Sequence, residues 1–497
     1  MNKLYHYKEK IKKKIDELFG ADLRSLAIFR IGIASILILD LINRARNLDA
    51  HYTDQGILPR TAVQGIYSHY MSIHMLSGDK AFEAFLFILA GIFALALLVG
   101  FYTKTVTFIS WFFLVSLQAR NTQILHGGDL LLRILLFWSL FLPLGARYSI
   151  DSLLNKSKKK LHIRILSWGT FGIYMQIVFL YLFSVWFKIS GKEWLSGTAV
   201  YYTLSIDHFA TNFGKFLLYH PILLKYLTYS VLTFEFIGTI LLFTPIMLGP
   251  IRTLIIILFI LMQIGFGISI RLGFFPVTAS VAMLCLIPTW FWDKFFICIE
   301  KTGIKKYFNK YCYKKKILQK AANIIPQQNI NFKSSLIASC LVAFFLVYIF
   351  FSNMQSIGAY GMPSNVKSIG YALSINQKWN MFAPTPRKND GWFVVVGRLQ
   401  DGKYMDVMRN KPVSWEKPKL VSSDYEDQNW NKYMFKLGDE EGEIPRYYGR
   451  YLCYNWNTKN EENQNLEEVT IYYMLERTLP NYQHPPIKKI PIWNEIC

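Results

Sequence analysis

Ionisable residues set inside otherwise apolar stretches are where this 497-residue chain can do chemistry. An isolated charge is costly in lipid or a dry core, so such residues face one another, a cavity or a ligand. Lys188 closes an apolar run and is followed by Gly191, Trp194 and Gly197 in WFKISGKEWLSGTAVYY. An interfacial lysine that snorkels to the head groups reads the same way, and spacing alone favours it. A dry pocket would instead leave a neutral amine able to act as a base. Glu235, in LTFEFIG, has no cation four residues away, so its partner must come from another helix, with Arg30 and Lys188 the candidates. Arg30 lies about two turns beyond Asp22 in DLRSLAIFRIG. There it meets a buried partner or, if the helix starts later, the membrane surface. Asn121, the run His126-Gly127-Gly128-Asp129 and Arg133 form a further group. Asp129 and Arg133 are spaced to pair on one helix face. Asp129 also suits the first turn of a helix, opposing its dipole, and spacing favours that capping role. Gln263 adds a weaker polar signal in a later apolar stretch.

These residues must be positioned by membrane helices. Hydrophobic residues make up 52% of the chain and charged ones 18%, which argues against a soluble protein. Nine stretches near 20 residues read as spans: 26–42, 81–100, 105–119, 129–144, 165–187, 226–245, 251–270, 274–292 and 336–351. The net charge of +22 falls in short lysine clusters beside them. One is Lys3 to Lys14, one Lys156 to Arg164, and one Lys294 to Lys320. With nine spans all three clusters share one side, as the positive-inside rule requires. That places the N-terminus in the cytoplasm and the region after Phe351 outside, in a multi-pass protein of the inner (plasma) membrane. The charge then serves topology and anionic lipid contact, and no motif points to nucleic acid. Residues 5–19 form a basic amphipathic stretch rather than a signal peptide. Residues 205–225, with Asp207, His208, Asn212 and His220, read as interfacial or re-entrant.

The predicted organisation is a cytoplasmic amphipathic N-terminus (1–24), a transmembrane bundle (25–352) and an extracytoplasmic β-rich domain (353–497). The fold class is mostly α, a polytopic helix bundle of about nine spans with that domain appended. In the domain, residues 392–399 (WFVVVGRL) and 404–409 flank the turn pair Asp401-Gly402 and predict a hairpin, and 471–475 (IYYML) a further strand. Six cysteines give no metal spacing. Cys285 and Cys340 fall in spans and Cys298 and Cys312 in a cytoplasmic loop. Cys453 and Cys497 either pair in an oxidising compartment or stay free.

At these residues the chain resembles the bacterial HTTM-domain membrane proteins, relatives of the vitamin K-dependent gamma-carboxylases. DLRSLAIFRIG resembles the opening span, and YLFSVWFKISGKEWLSGTAV the stretch that ends in a lysine followed by spaced Trp and Gly. ILMQIGFGISIRLGFFP resembles the span ending in Phe-Pro, and QKWNMFAPTPRKNDGW the segment opening the external domain. The similarity is collinear over roughly the first 400 residues. It implies a lyase-type chemistry. A lysine, here Lys188, deprotonates reduced vitamin K or a related quinol. Oxygen then turns the quinol into a strong base, and a peptide glutamate loses a γ-proton and gains carbon dioxide. No side chain at neutral pH removes that proton unaided. The resemblance also implies cofactor contacts from Arg30, Asn121, His126, Trp194, Glu235 and Gln263. The family pattern has a catalytic His beside an Asn, where this chain has Thr122 after Asn121 and its nearest His at His126. A second family His position is Gln263.

Two functions follow as expectations. One is a gamma-carboxylase-like enzyme acting on a secreted peptide or protein. The alternative is a non-carboxylase HTTM protein serving as maturation or assembly factor for a secreted protein. A transporter would carry internal repeats, and the sequence shows none.

Overall fold

The computed structural model describes residues 2–66, 72–155, 163–301, 335–438, 443–480, 483 and 485–497. Lys156, Lys158, Lys159, Lys160, the lysines from Lys305 to Lys320 and Cys312 lie outside them. The N-terminal amphipathic stretch folds as helix α1 (Asn2–Phe19), with Tyr7, Ile11 and Ile15 exposed at four-residue spacing. Such a stripe suits a membrane surface. The bundle follows: α2 (Leu23–Ala45), α3 (Lys80–Val99), α4 (Thr103–Arg120), α5 (Gly127–Ser139), α6 (Trp168–Ile189), α7 (Pro221–Leu241), α8 (Leu248–Ser269), α9 (Phe275–Leu284), α10 (Thr289–Lys301) and α11 (Leu336–Ser356). Helix α2 starts at Asp22, whose carboxylate accepts from the Arg24 amide and pairs with its guanidinium.

All nine predicted spans fall on helices, but they are not equivalent. Among the described residues, five helices, α2, α3, α6, α8 and α11, are long and apolar enough to cross a membrane. A sixth span arises only if α9 and α10, bent by 88° at their junction, count as one. Helix α5 has 13 residues, about 20 Å, short of a hydrocarbon core near 30 Å. It begins late because His126 caps it, and Pro143 follows soon after its end. Leu131, Leu132, Ile134, Leu135 and Leu136 are all buried, so α5 is a central post wrapped on every side. On α3, Phe85, Ile88, Ile92 and Leu95 are each more than half exposed. A stripe of that kind is stable only against lipid. This is a mostly helical, multi-pass membrane protein with a small C-terminal sheet region.

Beyond α11 a short helix, α12 (Ser364–Ala372), leads into the sheet of β1 (Asn389–Leu399), β2 (Tyr404–Asp406), β3 (Leu466–Arg477) and β4 (Lys488–Ile496). All pairings are antiparallel, in the order β2-β1-β3-β4. The predicted hairpin is β1–β2, although β2 stops at Asp406, and residues 471–475 lie in β3. Three helices of this region were not foreseen, α12, α13 (Gln428–Leu437) and α14 (Glu443–Asn457), and neither was β4. The region is therefore α+β. The aromatic-rich sequence of α13 and α14 resembles strand material, but apolar residues such as Ile444, Tyr448 and Leu452 recur at helical spacing. Trp392, Phe393, Val394 and Val395 are buried on both faces of β1.

Cys453, on α14, is disulfide-bonded to Cys497 at the end of β4, which settles the choice the sequence left open. The bond closes a loop of sequence separation 44. Cys453→Ser is expected to destabilise the C-terminal region by about 2–4 kcal/mol. Non-reducing peptide mapping should recover both cysteines in one crosslinked species, and two free thiols would contradict the bond.

The stretch read as interfacial or re-entrant, 205–225, also serves as a docking shelf. Ala210 bridges to Ile270. Buried His208 binds Asp390 of β1 through Nδ1 at 2.8 Å and the Tyr425 hydroxyl through Nε2 at 3.0 Å. These bonds fasten the sheet region to the bundle.

Candidate functional site

Helix α6 delivers Lys188 on its last turn, with 5% of the residue exposed. Its ammonium forms a hydrogen-bonded ion pair with Glu235 of α7, itself 4% exposed. Of the two partners the sequence allowed, the fold selects Lys188. The amine also lies 5.0 Å from the Trp194 ring centroid, a cation–π distance. Trp194 is fixed in turn, since its Nε1 donates to Phe382 O at 3.0 Å. The chain at Gly191 touches Pro384 so closely that a Cβ there would sit 1.7 Å from its carbonyl oxygen. The motif glycine thus admits the segment 382–384 over the lysine.

Two helical turns earlier on α6, Tyr181 accepts a hydrogen bond from Gln263 Nε2 at 3.4 Å. Gln263 Oε1 is buried and makes no hydrogen bond among the described residues. Tyr181 packs on Phe259 with centroids 4.5 Å apart. Lys188, Glu235, Trp194 and Gln263 thus belong to one interhelical seam.

The other predicted site residues lie elsewhere. Arg30 is buried at the opposite end of the bundle. It donates to the carbonyls of Leu144 at 3.0 Å and Tyr148 at 2.6 Å, with longer bonds to Leu98 and Arg147. It is a carbonyl clamp there, and Gly100 leaves room for its guanidinium. Asn121 turns toward its own loop, donating to His51 O at 2.9 Å and accepting from Gln123 N. His126 caps α5: its Nδ1 accepts from Gly128 N while Asp129 accepts from its backbone amide, a capping box. The capping role expected of Asp129 is therefore present. The expected Asp129–Arg133 attraction is present, and each residue also has partners beyond the helix. Asp129 meets Arg44 at 2.5 Å, while Arg133 donates to Gln118 and to the Asn376 carbonyl. Met381 packs close to Gly127, so the segment 381–384 runs between the His126 turn and the lysine seam.

Sequence reasoning missed two networks. Arg44, fully buried, bonds Asp40 at 2.8 Å, the Tyr52 hydroxyl at 2.8 Å and Asp129. Asp40 and Arg44 sit four apart on one helix, a signal that was there to be read. Gln176 of α6 and Gln377 exchange amide hydrogen bonds at 2.8 and 3.2 Å, tied to Trp138 and Trp379. Nothing local announces that clasp.

Above the seam, Lys432 of α13 faces Phe435 at 5.1 Å and Phe209 at 5.9 Å, and Arg387 stacks on the same Phe435 ring at 4.3 Å. Burial, with the Arg387 charge adding to it, pushes the Lys432 amine down to about 8 from 10.5. The folded state thus holds this proton less tightly than the unfolded chain. Its charge opposes folding below about pH 8, and the penalty fades as pH rises toward 10.5. Lys432→Met is expected to stabilise the protein at pH 7 by up to about 3 kcal/mol. That gain should vanish at pH 11 in denaturant unfolding of the full chain, and a pH-independent gain would exclude the electrostatic cause.

A family model for the HTTM domain matches residues 20–292, more than half the chain. The chain belongs to the HTTM family. That name carries the relation to the gamma-carboxylases. The matched region of this HTTM protein spans α2 through α9 and so contains the whole Lys188 seam. Comparison with curated proteins finds no match. Comparison with solved structures finds none either.

Proposed function

We propose that this HTTM protein is a gamma-carboxylase-like membrane enzyme, with Lys188 as base toward a reduced quinone and a peptide glutamate as the group carboxylated. The observation that carries the reading is the buried Lys188–Glu235 pair against the face of Trp194. A lysine at a lipid surface would not need a buried carboxylate. To act as a base, Lys188 must first pass its proton on, and the hydrogen bond to Glu235 provides that route. Trp194, held by Phe382, covers the amine and excludes water.

Reduced vitamin K or a related quinol, with oxygen and carbon dioxide as co-substrates, would supply the driving force for removing a γ-proton. The residues of the seam fit such a group in kind. Gln263 Oε1 is an acceptor without a partner among the described residues, suited to a phenolic hydroxyl, and Tyr181, Phe259 and Trp194 supply aromatic walls. His126 stands apart from the seam, on the far side of residues 381–384, where it caps α5.

In this reading the N-terminus is cytoplasmic, the C-terminal region lies outside the inner membrane, and it acts as a lid and docking element for a secreted peptide. The Cys453–Cys497 bond supports that side, because disulfides persist in oxidising compartments. The second reading, a maturation or assembly factor without carboxylase activity, is favoured by one observation. Asn121 is committed to His51 and Gln123, and Thr122 follows it where the family pattern has histidine.

The deciding assay reconstitutes the protein in lipid with reduced vitamin K, oxygen, bicarbonate and a glutamate-containing peptide. The expected result is a peptide mass gain of one carbon dioxide with matching quinone epoxide. Absence of both, in a preparation that unfolds cooperatively, would leave the second reading standing.

A further inference from the structure

A cavity of about 500 Å³ opens at the domain-side end of the bundle, between the start of α5, the last turn of α11 and helix α12. Lys188, Glu235 and Trp194 do not line it, while His126 stands in its wall. Three cations do: Arg133, Lys367 and Lys378. Among the described residues that line it there is no aspartate or glutamate. Arg133 is 8% exposed and is held in place by Gln118 and the Asn376 carbonyl. Asn376 also presents a buried Oδ1 that makes no hydrogen bond among the described residues. Ser352 and Ser356 add hydroxyls. Arg133 shares its charge with Asp129 one turn back on α5, while Lys367 and Lys378 meet no carboxylate in the cavity wall. Two lysines converging with hydroxyls on a chamber without a lining carboxylate make a site for a phosphate-type anion.

Depth decides where that anion comes from. Helix α11 has 21 residues, about 31 Å, which matches the hydrocarbon core. Its last turn, carrying Ser352 and Ser356, therefore stands at head-group level. Just below them the same helix exposes Phe351 and, a turn further in, Val347, 40% and 57%. A polar, cationic chamber at head-group depth beside an exposed apolar helix face matches an amphiphile: charge in the chamber, chains along the helix. We propose that this cavity binds the anionic head group of a membrane phospholipid. Binding here requires none of the chemistry at Lys188.

The test uses the full chain in nanodiscs containing equal phosphatidylglycerol and phosphatidylcholine, then extracted into neutral detergent. Native mass spectrometry reads the retained lipid. The expected result is preferential retention of phosphatidylglycerol, reduced about tenfold in the Lys367→Gln/Lys378→Gln variant. The only ring contact this variant removes among the described residues is that of Lys378 with Phe187 at 6.0 Å, so it should keep its melting temperature within a few degrees. Arg133→Gln should reduce retention further. Equal retention of both lipids would overturn the proposal. Displacement of phosphatidylglycerol by millimolar inorganic phosphate would overturn the lipid source in favour of a free anion. Displacement by a soluble acidic peptide would overturn it in favour of a peptide site.

Discussion

On the proposed function, Lys188→Arg should fold and yet lower peptide carboxylation by at least about 1,000-fold. Arginine keeps the positive charge that Glu235 needs, but it does not surrender a proton in a protein and cannot serve as the base. Lys188→Met should lose activity equally and also lose stability. It leaves the Glu235 carboxylate, 4% exposed, without its partner, and breaking one side of a buried pair costs about 3–5 kcal/mol. Removing both charges together in Lys188→Met/Glu235→Leu should recover most of that stability, because two apolar groups replace two desolvated ions. Activity should stay absent. A purely structural lysine predicts otherwise: any activity measured would track stability and return in the double variant. Denaturant unfolding and the peptide-carboxylation assay, run on all three variants, separate the two roles.

Arg44→Met should be the most damaging single change outside that seam, costing about 3–5 kcal/mol or preventing folding. Arg44 is fully buried and faces two carboxylates, Asp40 and Asp129, as well as Tyr52. Without it two acidic groups share one dry site. Asp129 also closes the capping box at the start of α5, so the loss reaches the central post of the bundle and the His126 turn. Arg44→Lys keeps the charge, but a single ammonium cannot span three partners as the planar fork does, and a smaller loss is expected. Thermal unfolding of both variants in one detergent gives the comparison. A neutral Arg44→Met would mean the carboxylates are satisfied in some other way.

Much of the helical framework was legible because its signal is local. Runs near 20 apolar residues locate the membrane helices, and Asp22 marks the start of α2 within the sequence itself. The hairpin of β1 and β2 was legible from the turn pair Asp401-Gly402 between apolar runs. Of the nine stretches read as spans, α4, α5 and α7 are not among the helices that length and composition alone suit to cross a membrane. Burial by protein and burial by lipid select the same apolar residues, so composition does not tell them apart. Helices α13 and α14 were missed because aromatic residues suit strands and amphipathic helices alike.

The candidate site divides in the same way. From sequence alone, Glu235 had to find a cation on another helix, since none stands one turn away on its own. The choice between Arg30 and Lys188 belonged to the tertiary structure. Residue spacing says which side chains share a face of one helix, but nothing about which end of the bundle that face occupies. Antiparallel packing carries Arg30 to carbonyls at one end and brings Lys188 beside Glu235 at the other, 47 residues apart in the chain. The sequence by itself determined a membrane helix bundle with a few buried charges. Only three-dimensional packing decided which of those charges meet, because contacts between distant helices are set by side-by-side geometry rather than local periodicity.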